Sequence, residues 1–354
     1  MESIEIKGFK SIKNAKVELA PINILIGANG AGKSNFISFF EFLDSLYNKK
    51  LQEYVGLRGG IEKFLHKGTQ PSTSIEGQIK FTDGINAYSF KIEKTPDTFA
   101  FTNEILWYNN DPLVYHLFEK EASVKNNTWY RAKFIQKFIQ GHKKYHFHDT
   151  GKDSPFNSTT NIDNDSLELY SRGENIAPIL SKIKERHPKI YNRIIKTIQQ
   201  IAPYFLDFVL QPNENGFIKL YWRDKYSEYV YGVSDFSDGT IRFIALAVLF
   251  MQPKLPDTII IDEPELGLHP QAIGYLSGLI HAASTQSQII IATQSAELIS
   301  DFEPEDIICV DQKDGMTEFS RLNSESLSVW LADYSMGDLW RQNIISKAQP
   351  FSNL

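Results

Sequence analysis

The sequence between Gly27 and Ser34 is the feature that most restricts the fold of this chain. It reads Gly-Ala-Asn-Gly-Ala-Gly-Lys-Ser, which matches the phosphate-binding P-loop pattern at each required position. The apolar run 22–26 precedes it and the apolar stretch 36–43 follows it, so the loop joins a predicted strand to a predicted helix. A phosphate site explains the position of this motif between a strand and a helix much better than a chance glycine-rich turn does. We therefore expect the chain to bind a nucleoside triphosphate through this loop.

The loop and the first turn of the following helix supply the predicted nucleotide contacts. The residues expected to bind ATP here are Gly27, Ala28, Asn29, Gly30, Ala31, Gly32, Lys33, Ser34 and Asn35. Glycines let backbone N–H groups approach the phosphates, and the helix N-terminus adds a positive potential. The Lys33 ammonium is expected to reach the β- and γ-phosphates, and the Ser34 hydroxyl is expected to bind Mg²⁺.

The composition is that of an ordinary globular protein with enough residues for one large or two smaller domains. The chain has 354 residues, of which 42% are hydrophobic and 23% are charged. A single cysteine, Cys309, excludes an internal disulfide framework and favours a reducing compartment. The N-terminus lacks a basic and apolar leader, and the longest apolar run, 243–251, is too short to span a bilayer. We expect a cytoplasmic protein without a membrane partner.

One basic segment interrupts an acidic chain whose formal net charge is −6. The segment Lys182–Lys196 carries six cations and a single acid, Glu185, and its isoleucines have helical spacing. A solvated helix face is the favoured interpretation of such a charge run. Binding of DNA phosphates, or of a partner, by 182–196 is kept as the alternative.

The order of strands and helices predicts an α/β core in two halves. Apolar strands at 258–261, 288–292 and 307–310 alternate with helices, as in a parallel sheet, and 74–92 reads as an antiparallel hairpin.

A change in composition divides the chain into three predicted parts. Residues 1–94 hold the P-loop half, 95–200 form an inserted and mainly helical lobe, and 201–354 hold the second half. Within the lobe, helices are expected at 128–139 and 166–200, the second broken near two prolines.

A second motif places two acids at the end of a buried strand. The sequence Thr-Ile-Ile-Ile-Asp-Glu at 258–263 is typical of a central strand buried on both faces. Asp262 is expected to bind Mg²⁺ beside Ser34, and Glu263 to orient and deprotonate the attacking water.

A third motif, Ser-Asp-Gly-Thr at 237–240, precedes an apolar helix. It predicts a second anion-binding helix N-terminus, although a plain N-cap would use the same residues. Its position about twenty residues before Asp262 favours the phosphate-binding interpretation.

Together these motifs resemble ABC-type ATPases of the SMC and RecF kind. They are most similar to bacterial RecF-like AAA-family ATPases that share their core with the overcoming-lysogenization-defect proteins, over Met1 to about Gly68 and Val233 to about Val310. The resemblance implies an α/β fold, namely an ABC-type P-loop ATPase head. Such a head has a parallel core sheet and an antiparallel β-subdomain, here with an inserted, mainly helical lobe.

The resemblance also assigns roles to residues outside the P-loop. Ser237, Asp238 and Gly239 stand at the family's signature motif, and 263–270 at its catalytic glutamate and D-loop. Gln294 stands at the switch position, where its amide could contact the γ-phosphate or water but could not carry a proton.

A head-to-tail homodimer with two ATP molecules between the protomers is a further implication of the resemblance. The P-loop, Asp262 and Glu263 of one chain would face Ser237 and Gly239 of the other. Hydrolysis would remove the bridging γ-phosphate and open the dimer, so we expect a slow ATPase that works as a switch.

The resemblance favours a sensor or regulator of a separate effector protein in bacterial defence. The stretch after Val310 is too short for an acid-rich nuclease domain, which supports a separate effector. The alternative is a DNA repair or recombination ATPase of the RecF type that binds DNA through 182–196. A transporter subunit is disfavoured by Gln294 and the long insertion.

Three features have no assigned role. His146 and His148 alternate as on a strand, and a structural role is favoured over zinc because no second ligand cluster accompanies them. No glutamine stands at a clear Q-loop position, and the motif 334–340 looks familiar from the same family without a known role.

Overall fold

The fold is described from a computed structural model. It describes the following residues: 1–67, 71–81, 84–96, 98–109, 111–130, 132–151 and 153–345. They divide into two units. The first unit contains residues 1–142 and the segment from 290 onward, and the second unit contains residues 143–289.

Strands and helices alternate along most of the chain. The strands are β1 (Ser3–Phe9), β2 (Ile12–Glu18), β3 (Ile22–Ile26), β4 (Ser74–Lys80), β5 (Asn86–Lys94), β6 (Phe99–Tyr108), β7 (Asp111–Glu119), β8 (His142–Tyr145), β9 (Thr160–Asn161), β10 (Phe205–Val209), β11 (Phe217–Ile218), β12 (Tyr221–Asp224), β13 (Val230–Gly232), β14 (Thr258–Asp262), β15 (Gln288–Thr293), β16 (Ile307–Lys313) and β17 (Met316–Arg321). The α-helices are α1 (Lys33–Tyr47), α2 (Leu51–Leu57), α3 (Ala132–Gln140), α4 (Ile176–Arg186), α5 (Pro188–Ile201), α6 (Asp238–Met251), α7 (Pro270–Ser284), α8 (Ala296–Ile299), α9 (Ser324–Leu331) and α10 (Met336–Arg341).

An antiparallel sheet with the order β2-β1-β4-β5-β6-β7 supports the P-loop helix in the first unit. The predicted hairpin is present as β4 and β5, in which Ile79 pairs with Tyr88. Helix α1 packs its aromatic face on this sheet, since the ring centroid of Phe39 lies 5.3 Å from that of Phe9 and 6.3 Å from that of Phe90. Fully buried aromatic contacts of this kind dominate core energetics and fix the direction of α1.

Strand β3, which leads into the P-loop, is buried along its whole length. It pairs with β16 in parallel, with Ile24 opposite Ile307, and β16 pairs with β17 in the antiparallel sense. A strand buried on both faces and joined to a parallel neighbour is what the continuous apolar run 22–26 predicts.

Residues 99–119 differ from the predicted helical lobe. They form β6 and β7, which extend the antiparallel sheet beyond β5. Phe99, Ala100, Phe101 and Leu106 are buried, and without β6 the strand β5 would present an unpaired edge. The prediction was wrong here because the polar residues around this stretch outweighed its aromatic and apolar content. The three-part division of the chain itself stays a prediction.

The helices of the second unit follow the prediction with two changes. Helix α4 begins at Ile176 and not at residue 166, because residues 166–175 form turns and loop. The chain breaks between α4 and α5 at His187, before Pro188, as predicted, but Pro178 lies inside the first turn of α4. Proline is tolerated there because its missing N–H would have no partner within the helix. Helix α6 is buried from Thr240 to Phe250. It contacts α7 through the cluster of Phe243, Ala247 and Ala272.

The carboxylate of Glu104 is fully buried in the first unit and accepts four hydrogen bonds. Its donors are the Tyr88 hydroxyl at 2.8 Å, the Ser123 N–H at 2.8 Å, the Ser123 hydroxyl at 2.5 Å and the Val124 N–H at 3.1 Å. Burial and the adjacent Glu104 raise the pKa of Tyr88 well above its ordinary value, so the Tyr88 hydroxyl stays a donor. The network ties β5 and β6 to the turn after β7.

Replacing Glu104 with glutamine would turn one acceptor oxygen into an amide group that faces donors. Because a buried donor then lacks a partner, we expect Glu104→Gln to lower the free energy of unfolding by about 2–4 kcal/mol. Urea denaturation measures this value. Glu119→Gln, at the exposed end of β7, is the control and should change it by less than about 0.5 kcal/mol. Equal stabilities of the two variants would contradict the role given to Glu104.

Candidate functional site

The P-loop leaves β3 and enters α1 through two glycines in left-handed conformations. Gly30 and Gly32 have φ angles of 81° and 115°, which residues with a side chain rarely adopt. A Cβ atom at Gly32 would lie 2.1 Å from Oγ1 of Thr317, whereas one at Gly30 would enter open space. At Gly27 a Cβ atom would lie 2.1 Å from the carbonyl oxygen of Val310. The loop is therefore packed tightly against β16 and β17 on one side and open at Gly30.

The residues of the open side fit a triphosphate. Helix α1 begins after Gly32 without a side-chain cap from any described residue, so the positive end of its dipole is available to an anion. Lys33 is buried, and its ammonium donates to the carbonyl oxygens of Gly27 at 2.6 Å and Ala28 at 3.1 Å. Ser34 is exposed in the first turn. Its hydroxyl is an oxygen ligand of the type that Mg²⁺ prefers.

A series of hydrogen bonds that includes residues outside the P-loop supports the loop. The side-chain amide of Asn35 donates to Oγ of Ser11 at 2.7 Å, and Ser11 lies 2.7 Å from Oγ1 of Thr317. Thr317 donates to the carbonyl oxygen of Ala31 at 2.9 Å. Sequence reasoning missed Ser11 and Thr317 because neither lies in a motif and only the fold brings them together.

Gln294 lies half-buried between β15 and α8. Helix α8 is in turn covered by α10, since a Cβ atom at Gly337 would lie 2.1 Å from Oγ of Ser300 and 2.2 Å from the carbonyl oxygen of Ala296. Arg341 also donates to Glu297 at 2.7 Å. The motif 334–340, which had no role in the sequence, therefore packs against the helix that follows the predicted switch residue.

Asp262, the predicted Mg²⁺ ligand, ends β14 in the second unit, and Glu263, the predicted general base, follows it; both are half-buried. Glu263 has a φ of 45°, a left-handed conformation that is uncommon for a residue with a side chain. Strain of this kind is found more often at functional sites than elsewhere. The following turn is closed by hydrogen bonds from the Leu266 N–H to the Glu263 carbonyl, at 3.2 Å, and from the Leu268 N–H to the Glu265 carbonyl, at 3.0 Å.

Ser237 is the N-cap of α6, as the simpler of the two interpretations predicts. Its hydroxyl accepts from the Thr240 N–H at 3.2 Å and lies 2.8 Å from the Thr240 hydroxyl. Ser237 and Asp238 are nevertheless exposed, so this helix start is accessible to an anion. A Cβ atom at Gly239 would lie 2.4 Å from the carbonyl oxygen of Gly267, which requires glycine where α6 crosses the 263–268 turn.

Two further residues of the second unit contact these motifs. Nε2 of His148 donates to the carbonyl oxygen of Asp262 at 2.9 Å. Arg242 is buried and donates to the carbonyl oxygens of Phe147 at 3.1 Å and His148 at 3.2 Å. Burial lowers the pKa of the Arg242 guanidinium, and Asp238 and Glu265 oppose that shift. Sequence reasoning treated Arg242 as part of an apolar helix and left His148 without a role.

The histidine pair and the candidate Q-loop glutamines have structural contacts. The rings of His146 and His148 lie 4.4 Å apart, and among the described residues no group of three or more His, Cys, Asp or Glu side chains could hold a metal ion. Gln140 donates to the Tyr47 hydroxyl and Gln136 to backbone carbonyl oxygens, while Gln70 lies outside the described residues. The Q-loop position stays unassigned.

Comparison with known proteins identifies a matching family model and several relatives. A family model described as "AAA domain, putative AbiEii toxin, Type IV TA system" matches residues 22–300. The Old nuclease of Escherichia phage P2 is 25% identical over 345 aligned residues, covering 85% of this chain and 57% of that protein. An ATP/GTP phosphatase of Helicobacter pylori is 24% identical over 309 residues, covering 76% of this chain and 77% of that protein. The chain thus spans little more than half the length of Old nuclease.

Solved structures of SMC heads share the fold. One SMC head, bound to the C-winged helix domain of ScpA, has a TM-score of 0.61 and 19% identity over 93% of this chain and 99% of its own. Another, from Pyrococcus furiosus, bound to the C-terminal domain of ScpA, has a TM-score of 0.59 and 18% identity over 94% of this chain and 98% of its own. The predicted ABC-type, SMC-like ATPase head is confirmed. Within the described part of the chain, every helix is too short or too polar to cross a bilayer.

The packing of α10 on α8 makes a testable prediction about Gly337. A side chain at this position would collide with Ala296 and Ser300, so we expect Gly337→Ala to lower the free energy of unfolding by about 1–3 kcal/mol. Hydrogen exchange should rise in α8 and α10 together. Gly56→Ala is the matched control, because Gly56 lies in α2 with open space around its Cα and should change stability by less than about 1 kcal/mol. Unchanged exchange in α8 would contradict the packing role.

Proposed function

We propose that this chain, which belongs to the family described as AAA domain, putative AbiEii toxin, Type IV TA system, is an ATP-driven dimerisation switch. The observation that supports the proposal is a pair of accessible helix starts. One begins at Lys33 in the first unit and the other follows Ser237 in the second, and both have exposed residues that leave the helix N-terminus open to an anion. A single triphosphate would occupy only one of these helix starts. The other would bind the triphosphate held by a second copy of the chain.

The residues from Gly27 to Asn35 would bind the triphosphate of ATP. Gly30 leaves the loop open where the phosphates would lie, and Lys33 would exchange its loop carbonyls for phosphate oxygens. Ser34 and Asp262 are the proposed Mg²⁺ ligands. Bound Mg²⁺ would neutralise the charge that develops on the β- and γ-phosphates.

Glu263 is the proposed general base and Gln294 the residue that orients the attacking water. A carboxylate at the exit of a buried strand can accept the proton of water, whereas a glutamine amide can only donate to and accept from neighbouring oxygens. Phosphate release would then remove the group that both protomers bind.

Ser237, Asp238 and Gly239 are proposed to contact the γ-phosphate held by the second copy. Their exposure supports this role, because the helix N-terminus and the Ser237 hydroxyl are both accessible. The bond from the Thr240 N–H to Ser237 keeps that hydroxyl at the end of the helix.

The proposed role in the cell is regulation of a separate effector protein in bacterial defence. The family description names a toxin of type IV TA systems, and the SMC heads with this fold were solved with a bound ScpA domain. A head of this fold can therefore carry a partner protein. Cys309 is a buried thiol, in keeping with the reducing cytoplasm that we propose as its compartment.

The variant Glu263→Gln tests the base and the dimer together. It keeps the size of the side chain, so we expect ATP affinity to be retained and hydrolysis to fall by about 100-fold or more. With ATP and Mg²⁺ it should elute as a dimer in size-exclusion chromatography with light scattering. Lys33→Ala in the same background is the control, and should be monomeric because it cannot bind ATP. Wild-type hydrolysis by Glu263→Gln would contradict the assigned base, and an ATP-bound monomer would contradict the switch.

Direct DNA binding is the second candidate function, and the charges of α4 and α5 favour it. Lys184 pairs with Asp207 at 3.0 Å. Within the described residues, by contrast, the side chains of the other five cations form no hydrogen bond or ion pair; they are Lys182, Arg186, Lys189, Arg193 and Lys196. Lys182, Arg186, His187 and Lys254 line a cavity of about 170 Å³ that contains no carboxylate. Unpaired cations around such a cavity suit a phosphate backbone.

Salt-dependent DNA binding tests this candidate. We expect the double variant Lys182→Gln/Arg186→Gln to weaken duplex binding at every salt concentration and to reduce the slope of log K against log salt by about 2. Lys184→Gln is the matched control from the same helix and should leave the slope unchanged. If wild-type protein with ATP fails to bind duplex DNA at about 50 mM salt, this function is excluded.

A further inference from the structure

We propose that His148 and Arg242 are positioning residues that hold Glu263 in its left-handed backbone conformation; the inference rests on the role proposed for Glu263. The structure of the second unit places them in one connected series. Arg242 fixes the backbone of His148, the His148 ring fixes the carbonyl of Asp262, and that carbonyl precedes Glu263.

The backbone of Glu263 is strained. A φ of 45° is disfavoured for any residue with a Cβ atom, and such residues persist only where neighbouring contacts hold them. This φ sets the direction in which the carboxylate leaves the end of β14. A flip of the preceding peptide group would relieve the strain and aim the carboxylate elsewhere.

The bond from His148 opposes this flip. Its acceptor, the carbonyl oxygen of Asp262, belongs to the peptide group that joins Asp262 to Glu263, and the N···O distance is 2.9 Å. Because a carbonyl oxygen can only accept, Nε2 of His148 carries the hydrogen. Turning the peptide group would move the oxygen away from Nε2 and break the bond. The intact bond therefore stabilises the left-handed conformation of Glu263.

Arg242 holds His148 through its backbone. The guanidinium spans two successive carbonyl oxygens, donating from Nε to Phe147 at 3.1 Å and from a terminal nitrogen to His148 at 3.2 Å. Arg242 is only 6% exposed, and in the described residues it forms no ion pair with a carboxylate. Burying a cation is costly, and the nearby carboxylates of Asp238 and Glu265 offset only part of the effect of burial, since the pKa of Arg242 stays lowered. A role in orientation therefore explains this residue better than a role in stability.

The same series connects the two ends of the proposed catalytic machinery. Arg242 lies in the second turn of α6, the helix that Ser237 caps, and Gly239 of that helix crosses the 263–268 turn at close range. A partner's phosphate that shifts the start of α6 would therefore act on His148 and, through it, on Glu263.

Variants of His148 separate positioning from general structure. We expect His148→Ala to lower kcat for ATP hydrolysis by about tenfold to 100-fold and to change ATP affinity by less than about twofold. His148→Gln places an amide N–H close to the position of Nε2 and should restore most of the rate. His281→Ala removes an exposed histidine of the same unit and should leave kcat unchanged. If His148→Gln is as slow as His148→Ala, the hydrogen bond to Asp262 does not explain the fall in kcat.

A double-variant cycle tests whether His148 acts through Glu263. In the Glu263→Gln background, His148→Ala should cause no further fall in kcat, because the side chain that it positions no longer serves as a base. A further tenfold fall would overturn the inference. If Glu263→Gln hydrolyses ATP at the wild-type rate, Glu263 is not the general base, and the proposed function is contradicted. If Glu263→Gln is slow but His148→Ala is as fast as wild type, only the positioning role fails.

Arg242→Lys tests whether the fixed geometry of the guanidinium is needed. Lysine keeps the positive charge but cannot donate to two carbonyl oxygens in the fixed geometry of a guanidinium. We expect kcat to fall by about tenfold with ATP affinity retained, and the effect to disappear in the His148→Ala background. Independent, multiplicative losses in the double variant would show that Arg242 does not act through His148.

Discussion

Close packing between α6 and the turn that follows β14 is the constraint on which the proposed site depends. Gly239 leaves no room for a side chain against Gly267, and Arg242 is buried one turn further along the helix. These buried contacts connect the exposed start of α6 to the turn that follows Glu263. The helix proposed to bind an anion at its exposed end is thereby linked to the residue proposed to activate water.

The parts of this arrangement that the sequence predicted are those encoded by consecutive residues. The P-loop and the Asp-Glu strand each carry their chemistry within a short stretch, so strand, loop and helix could be assigned without knowing the fold. The break before Pro188 was equally local. The TM-scores to SMC heads confirm the fold class that these motifs indicated.

The parts that the sequence did not predict depend on residues far apart in the chain. Ser11 and Thr317 meet behind the P-loop only because β1, β2, β16 and β17 bring them together. Arg242 has the appearance of an ordinary charged residue in an apolar helix, and only its burial against two carbonyl oxygens shows its position. Strands β6 and β7 were missed because the pairing of β6 with β5, and of β7 with β6, outweighs local composition.

In the proposed switch, the two helix starts have different roles, and a single copy of the chain would use only one of them. The first unit supplies the glycine-rich loop and Lys33, and the second supplies Asp262, Glu263 and the exposed Ser237. In the proposed switch, ATP binding brings complementary halves of two copies together, and hydrolysis removes the shared group. The free energy of ATP binding would thus stabilise the dimer, which suits regulation of a separate effector better than rapid turnover.

The most direct measurement of the composite site is the ATPase rate per protomer as a function of protein concentration, at saturating ATP and Mg²⁺. A site completed by a second copy predicts that the rate per protomer rises with concentration and reaches a plateau as dimers form, in step with the molar mass from light scattering. A rate per protomer that stays constant while the protein is monomeric would contradict the account.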